Sequence, residues 1–397
     1  MTKKQVYLLV CSLSALTSTH ALSATSIEHS HSTSVTGGFN SNVYRTPDSN
    51  YVDWGQTATP AITPDKQSGF FTELDYKFEG AYPLSKKTTL LGDLSLDGKF
   101  YLDSDLTNAN ETKYKLDFGA EHILSGKKRR VSSIEAMAII NAVDKTYYDR
   151  DTGLEKTAGI TDVADRYSYK GTGIEIKYKN KIDKTFQYGA VLAIGSRDYT
   201  DTIANSQMDY SYTTLGADVD YQLQKSTTVN LDVEREVQDY DERSARNLSG
   251  TLLASQPELE YTYLTLSPGI KHKLNDNWTL RANYSHVDRA DGWLGYNDYT
   301  AQKFKLRAIH KTDSVRTKLS LSKQSRDYPR ALAFDKPVNG VNVSKTYDTL
   351  ALSLSSELQQ TENRSLWGKV AYNNTDTNDL RYNYDRFIIF AGYKWQY

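Results

Sequence analysis

In the stretch FFTELDYKFEG, Glu73, Asp75, Lys77 and Glu79 recur at every second position, and in TLLGDLSLDGKFYL Asp93, Ser95, Asp97 and Lys99 keep the same spacing. Further along, the two-residue step links Asp218 to Asp220, Asp232 to Glu234 and Glu236, Lys271 to Lys273, Lys303 to Lys305 and Arg307, and Arg316 to Lys318, with Arg281 alone between two of these groups. That period places each set on one side of an extended strand. Carboxylate, ammonium and guanidinium groups aligned in this way can hold, orient or repel charged solutes. Bond-making chemistry needs tighter constellations. A nucleophilic serine must touch its base, yet Ser285 and His286 are neighbours in an extended segment and point to opposite sides. Carboxylates are too numerous for any one pair to stand out as acid and base, and the chain has neither a glycine-rich phosphate loop nor a CxxC pair. The expectation is a protein that is not an enzyme and carries no cofactor.

Histidine does not change this. His29 and His31 in EHSHS, with Glu28, make a poor metal site near a chain end, so no metal is expected. His122, His272, His286 and His310 fall mostly on the apolar side of their segments near the ends, where an amphipathic ring suits an interface between lipid and water.

The elements that carry the charges have a second side. Phe70, Thr72, Leu74, Tyr76 and Phe78 alternate with the first acidic set, and Leu90, Leu94, Leu96 and Phe100 with the second. Sixteen such segments follow one another, from 33–44 to 384–397. The connections after even-numbered segments are short, as in SGKKRR, QKS and NDN, while most of those after odd-numbered segments are longer, up to RTPDSNYVDWGQTATPAITPDKQS. Short turns at one end and long loops at the other describe an up-and-down antiparallel barrel.

The amount of charge decides which solvent lies on which side. A sandwich core cannot bury so many carboxylates and cations, because each unpaired charge out of water costs several kcal/mol. Sixteen apolar strips in water would in turn far exceed the few hundred Å² that a soluble monomer exposes. Water inside and lipid outside satisfies both faces. The expected fold is therefore all-β: a transmembrane up-and-down antiparallel β-barrel of about 16 strands, with short periplasmic turns and long extracellular loops. Thirty Tyr against 11 Phe and only 8 Pro suit it.

Glu73, Asp75, Asp93, Asp97, Asp218, Asp220, Asp232, Glu234, Lys271, Arg281, Lys303, Lys305, Arg307, Arg316 and Lys318 thus become the candidate pore-lining residues. Segments 8 and 9 form an acidic wall beside the basic wall of segments 10 to 13, with acid-rich segments 2 and 3 roughly opposite. Tyr44, Tyr101, Tyr147, Tyr148, Tyr199, Tyr240 and Tyr328 end the outward-running segments and read as an interfacial girdle, with room for some to turn inward.

The two ends carry instructions of their own. MTKKQVYLLVCSLSALTSTHALSA has Lys3 and Lys4, an apolar run too short to span a bilayer, and small residues up to Ala24, so residues 1–24 read as a signal peptide and 25–397 as the barrel. Its removal takes away Cys11, the single cysteine, and leaves 46 basic and 49 acidic residues, a balance that gives no reason to expect nucleic acid. The last segment, YDRFIIFAGYKWQY, alternates to the final residue, and Tyr393, Trp395 and Tyr397 resemble the C-terminal signal read by barrel-assembly machinery. Other expected partners are outer-membrane lipids and lipopolysaccharide.

The stretch GGFNSNVYRTPDS, Gly37 to Ser49, resembles the first strand of outer-membrane barrels of the beta-barrel porin 2 type: a Gly-rich segment, Asp or Asn, then Ser-Asn-Val, an aromatic residue, Arg and Pro. Asn40, Ser41, Asn42, Val43, Tyr44, Arg45 and Pro47 match, with Asn40 where Asp is commoner. The resemblance implies residence in the bacterial outer membrane and a likeness to exopolysaccharide-export porins, which work with periplasmic and inner-membrane synthesis machinery, so a periplasmic export partner is expected. The expected function is an aqueous conduit for a hydrophilic polymer such as a surface polysaccharide. Two other readings stay open at this point: a general small-solute porin, and a non-conducting barrel that acts in surface-protein export or adhesion.

Overall fold

The computed structural model describes residues 28–52, 61–127, 130–158, 161–200, 203, 207–252, 255–333 and 341–397. The expected signal peptide lies outside them. Sixteen strands form one closed antiparallel barrel in which each pairs with its sequence neighbours and the last pairs with the first. They are β1 Glu28–Asn40, β2 Gly69–Pro83, β3 Thr88–Tyr101, β4 Glu111–Lys127, β5 Arg130–Lys145, β6 Tyr169–Lys181, β7 Phe186–Tyr199 and β8 Tyr210–Gln224. The second half is β9 Thr227–Ser244, β10 Glu258–Lys273, β11 Trp278–Asp291, β12 Tyr299–Lys311, β13 Val315–Leu332, β14 Ser344–Thr361, β15 Arg364–Thr377 and β16 Tyr384–Gln396.

Contacts that skip a strand identify the inner face, because only the concave side of a sheet brings next-nearest strands together. The Asn40 amide on β1 donates to the Tyr101 hydroxyl on β3 at 2.7 Å, and Phe71 on β2 meets Phe390 on β16 with ring centroids 6.3 Å apart. These side chains share parity with the charged sets. The other face is a band of exposed apolar side chains that includes Phe70, Leu116, Leu192, Leu264, Leu306, Leu352 and Ile389. Its lower edge carries aromatic and histidine rings: Trp278 stacks on His310 with centroids 4.6 Å apart, and His31 lies between Tyr76 and Phe78. An apolar outer band edged by amphipathic rings matches a bilayer.

The turns at that edge are set by short polar side chains. Asp183 accepts hydrogen bonds from the backbone of Thr185 and Phe186, and Asn275 from Asn277 and Trp278, so a few residues reverse the chain.

The first strand departs from the expected 33–44. It starts earlier, pairing Glu28 with Ala81, and ends at Asn40. The Asn40 side chain accepts from the Asn42 backbone N–H and turns the chain out of the sheet, and Arg45 follows at φ 58°. The last strand closes the barrel from Ser32 opposite Gln396 to Asn40 opposite Ile388, and Tyr397 exchanges two backbone hydrogen bonds of 2.9 Å with His31.

Gly38 makes room at this seam. A Cβ there would lie 2.6 Å from both the Phe390 Cβ and the Phe71 ring. Gly38→Leu is expected to destabilise the barrel by about 1–3 kcal/mol through overpacking, read as a lower urea midpoint for the loss of heat-modifiable migration; an unchanged midpoint would show that the seam relaxes freely.

Candidate functional site

The inner wall is divided by charge, and register shows how. On β2 to β4, Glu79 stands opposite Asp93, and Asp93 opposite Asp117; one row along, Asp75 faces Asp97, which faces Lys113. Lysines temper this sector and the next. Lys99 reaches Glu73 at 3.3 Å, Lys115 reaches Asp117 at 2.5 Å, and Lys179 reaches Glu135 at 3.5 Å. Asp75 also accepts from Ser34 at 2.7 Å, and Asp97 from Ser95 at 3.1 Å.

The following sectors are not balanced in this way. Asp218 on β8 stands opposite Asp232 on β9, Asp220 opposite Asn230, and Glu234 opposite Gly216. Across the next seam, Lys271 on β10 faces Arg281 on β11, which faces Arg307 on β12. Lys303 and Lys305 continue the inner face of β12 opposite Ser285 and Asn283, while Arg316 and Lys318 lie on the inner face of β13. Asp232, Glu234, Asn283 and Lys303 are exposed although they point into the barrel, so the interior is open at this level. All fifteen candidate pore-lining positions therefore share the inner face. They form two walls of opposite sign side by side, on β8–β9 and β10–β13, and an acid-rich, partly neutralised one on β2–β4.

Above the charges runs an aromatic belt, and it takes in several tyrosines of the expected girdle, in the inward orientation which that reading left open. Tyr169, Tyr199, Tyr210, Tyr240 and Tyr261 form a chain on successive strands with centroid spacings from 5.1 to 6.3 Å. Tyr299, Tyr328, Tyr347 and Tyr382 form a second chain. Arg289 bridges the two, its guanidinium 4.3 Å from the Tyr261 and Tyr299 ring centres and 5.9 Å from Tyr328, and Arg197 and Arg326 lie over Tyr169 and Tyr299. Tyr101, Tyr199, Tyr240 and Tyr328 thus face inward. The sequence held a usable signal: Tyr101 shares parity with Lys99, Tyr240 with Glu234, and Tyr328 with Lys318.

Tyr44 is a further correction. It is 1% exposed, packed with Val43, Phe71, Tyr101 and Leu106 and edge-on to Tyr148. Burial first, with Tyr148 and Tyr101 nearby, pushes its phenol up to about 12, which keeps it a neutral donor to the Asp105 carbonyl at 3.0 Å. Around it the first, second and third outer loops are tied into one clasp. Thr46 donates to the Arg150 carbonyl, Tyr51 to Asp151 and Asn108 to the Gly153 carbonyl, while Lys66 bridges Asp48 and Asp385 at 2.6 Å each. Gly153, at φ 72°, lets the third loop pass against the Tyr44 ring. Asn42, fully buried, holds the start of the clasp by donating to the carbonyls of Thr46 and Asp385 and accepting from the Thr46 N–H. The GGFNSNVYRTPDS motif therefore folds the first loop against the last strand and the neighbouring loops.

No family model and no curated protein matches this chain. Solved structures do. OmpF of Salmonella typhi, in a complex with daunomycin, is similar at TM-score 0.50 and 14% identity over 94% of this chain and 98% of that one. The outer-membrane channel DcaP of Acinetobacter baumannii is similar at TM-score 0.49 and 13% identity over 94% and 97%. A bacterial polysaccharide outer membrane secretin is similar at TM-score 0.45 and 7% identity over 92% and 97%. The chain is a closed 16-stranded β-barrel of the bacterial outer membrane, with the fold seen in OmpF.

Two outcomes test the clasp. Asn42→Ala strands the buried Thr46 N–H and is expected to cost about 1–3 kcal/mol, read as faster tryptic cleavage at Arg45 and Lys66 of the folded barrel. In the third loop, burial raises the Asp149 carboxyl, but Lys156 at 3.0 Å and two backbone N–H donors more than reverse this and leave it below the usual aspartate range. A lowered folded-state value contributes stability above the unfolded value that is lost as the pH falls through the lowered one. Pepsin cleavage in 146–168 should therefore rise as the pH drops below the usual aspartate range, and Asp149→Asn should be cleaved readily before that drop.

Proposed function

We propose that this barrel is an aqueous conduit across the outer membrane for a hydrophilic polymer, a surface polysaccharide or exopolysaccharide, and that it belongs with the exopolysaccharide-export barrels of the beta-barrel porin 2 type. The observation that carries the reading is the inner wall itself: charged side chains that are exposed inside the barrel, with walls of opposite sign side by side. Such a wall needs water, and water-filled space through a membrane is a path. The candidate pore-lining residues act as its lining, setting ion preference and orienting dipolar solutes.

The aromatic belt supports a sugar as the solute. Tyr212, Tyr263, Tyr299 and Tyr347 are only half-buried, so phenol edges and faces remain available beside guanidinium groups. Aromatic faces pack against the apolar faces of sugar rings, while carboxylates and guanidinium groups bond to hydroxyls. No reacting constellation is required, so the barrel works without enzymatic chemistry. The outer band contacts lipid and lipopolysaccharide; Tyr393, Trp395 and Tyr397 present the assembly signal; and a periplasmic export partner works with the barrel.

A general small-solute porin is the second reading, favoured by the clasp, which packs Tyr44 of the first outer loop against the inner-face side chains of Phe71 and Tyr101. One experiment separates the two. Deleting the gene in the native host should abolish surface polysaccharide and leave small-solute uptake intact, with recovery on re-expression. Unchanged polysaccharide with slowed solute uptake would replace the polymer conduit with the small-solute porin.

A further inference from the structure

Lys271, Arg281 and Arg307 stand directly opposite one another on three consecutive strands. Like charges placed so destabilise a sheet. On β2 to β6 several inner-wall cations have acidic partners, as Lys99 has Glu73 and Lys179 has Glu135. Among the described residues, no carboxylate oxygen lies within 4.0 Å of Lys271, Arg281, Lys303, Lys305, Arg307, Arg316 or Lys318. The Nε atoms of Arg281 and Arg307 are enclosed by protein with no hydrogen-bond partner. Between the cations lie small neutral donors: Ser267 bonded to Ser285 at 3.0 Å, Asn283 opposite Lys305, and Ser320 opposite Arg307.

Seven cations with no carboxylate oxygen within 4.0 Å, Arg316 being the one that faces an acidic residue, Glu357, across its seam, spaced by hydroxyl and amide groups in a wet channel, are a surface complementary to oxyanions. We propose that this strip on β10 to β13 is a binding site for multivalent oxyanions, and that the polymer carried by the conduit bears carboxylate or phosphate groups. The proposal rests on the conduit reading for its polymer and on the strip alone for its anion. The acidic wall on β8–β9 then completes the recognition. It repels the chain of negative charge from one side and keeps it on the basic strip, so that an acidic polymer runs along one wall while cations are drawn to the other.

The test is current through single channels of the refolded protein, with inorganic pyrophosphate, a carboxylated oligosaccharide (oligogalacturonate) or a neutral malto-oligosaccharide added in turn. Both anions should interrupt the current at concentrations where the neutral sugar does not, and raising the salt should weaken the effect. Lys271→Gln with Arg281→Gln and Arg307→Gln should weaken the block by about tenfold or more, while Lys86→Gln in a periplasmic turn should leave it unchanged. Block by pyrophosphate without block by oligogalacturonate would uphold the oxyanion site and overturn the acidic polymer. An open channel blocked by neither anion would overturn the inference and leave the conduit standing. A folded barrel without current would overturn the conduit; titration calorimetry with pyrophosphate in detergent then decides the site, and absence of heat that depends on the three cations would overturn it.

Discussion

Everything in this molecule depends on the pairing of β16 with β1. A strand in lipid has no water to satisfy its N–H and C=O groups, so a sheet can lie in a bilayer only if it has no edge. The register from Ser32 opposite Gln396 to Asn40 opposite Ile388 removes both edges at once, and the reciprocal bonds between His31 and Tyr397 use the last residue to do so. With an edge left open, the apolar outer band would be a liability; with the ring closed, it is the surface that holds the barrel in place.

Closure creates two faces in two solvents, and the division of labour follows. Outside, burial in lipid is generic and needs only apolar side chains edged by rings such as Trp278 and His310. Inside, each charge must find water or a partner, and the wall uses both solutions: ion pairs on β2 to β6, open carboxylates on β8–β9, open cations on β10–β13. The open charges are costly only where water is excluded, and exposed Asp232, Glu234 and Lys303 place water beside them. Repulsion along each wall is screened by salt, so stability tolerates what function can use.

The sequence was most legible where the physics is local. A two-residue period needs no knowledge of distant partners, which is why the strand count, the alternation of turn and loop lengths and the face of every charged candidate could be read directly. Legibility failed where the chain leaves the sheet. Alternation alone carries the first strand on to Tyr44, but the Asn40 turn and the positive φ of Arg45 break the phase, and Tyr44 ends in a pocket built by the second and third loops. The tyrosine belt was left undecided for another reason: aromatic rings suit both a membrane interface and an inner wall, and composition cannot separate them. Parity with Lys99, Glu234 and Lys318 could have. The clasp partners Arg150, Asp151 and Gly153 lie about a hundred residues from Tyr44, Thr46 and Tyr51, and no local pattern announces such contacts.

Because Cys11 is the only cysteine in the chain, Cys11→Ser gives a cysteine-free background into which single cysteines can be placed. Asn283→Cys on the inner face and Leu306→Cys on the outer face, close by on neighbouring strands, give the most direct test, with a charged, membrane-impermeant thiol reagent applied to the protein in liposomes. Two solvents on two faces predict fast modification at 283 and protection at 306 until detergent or denaturant is added. Protection at 283 together with modification at 306 would contradict a water-filled interior inside a lipid-facing wall, and with it the conduit.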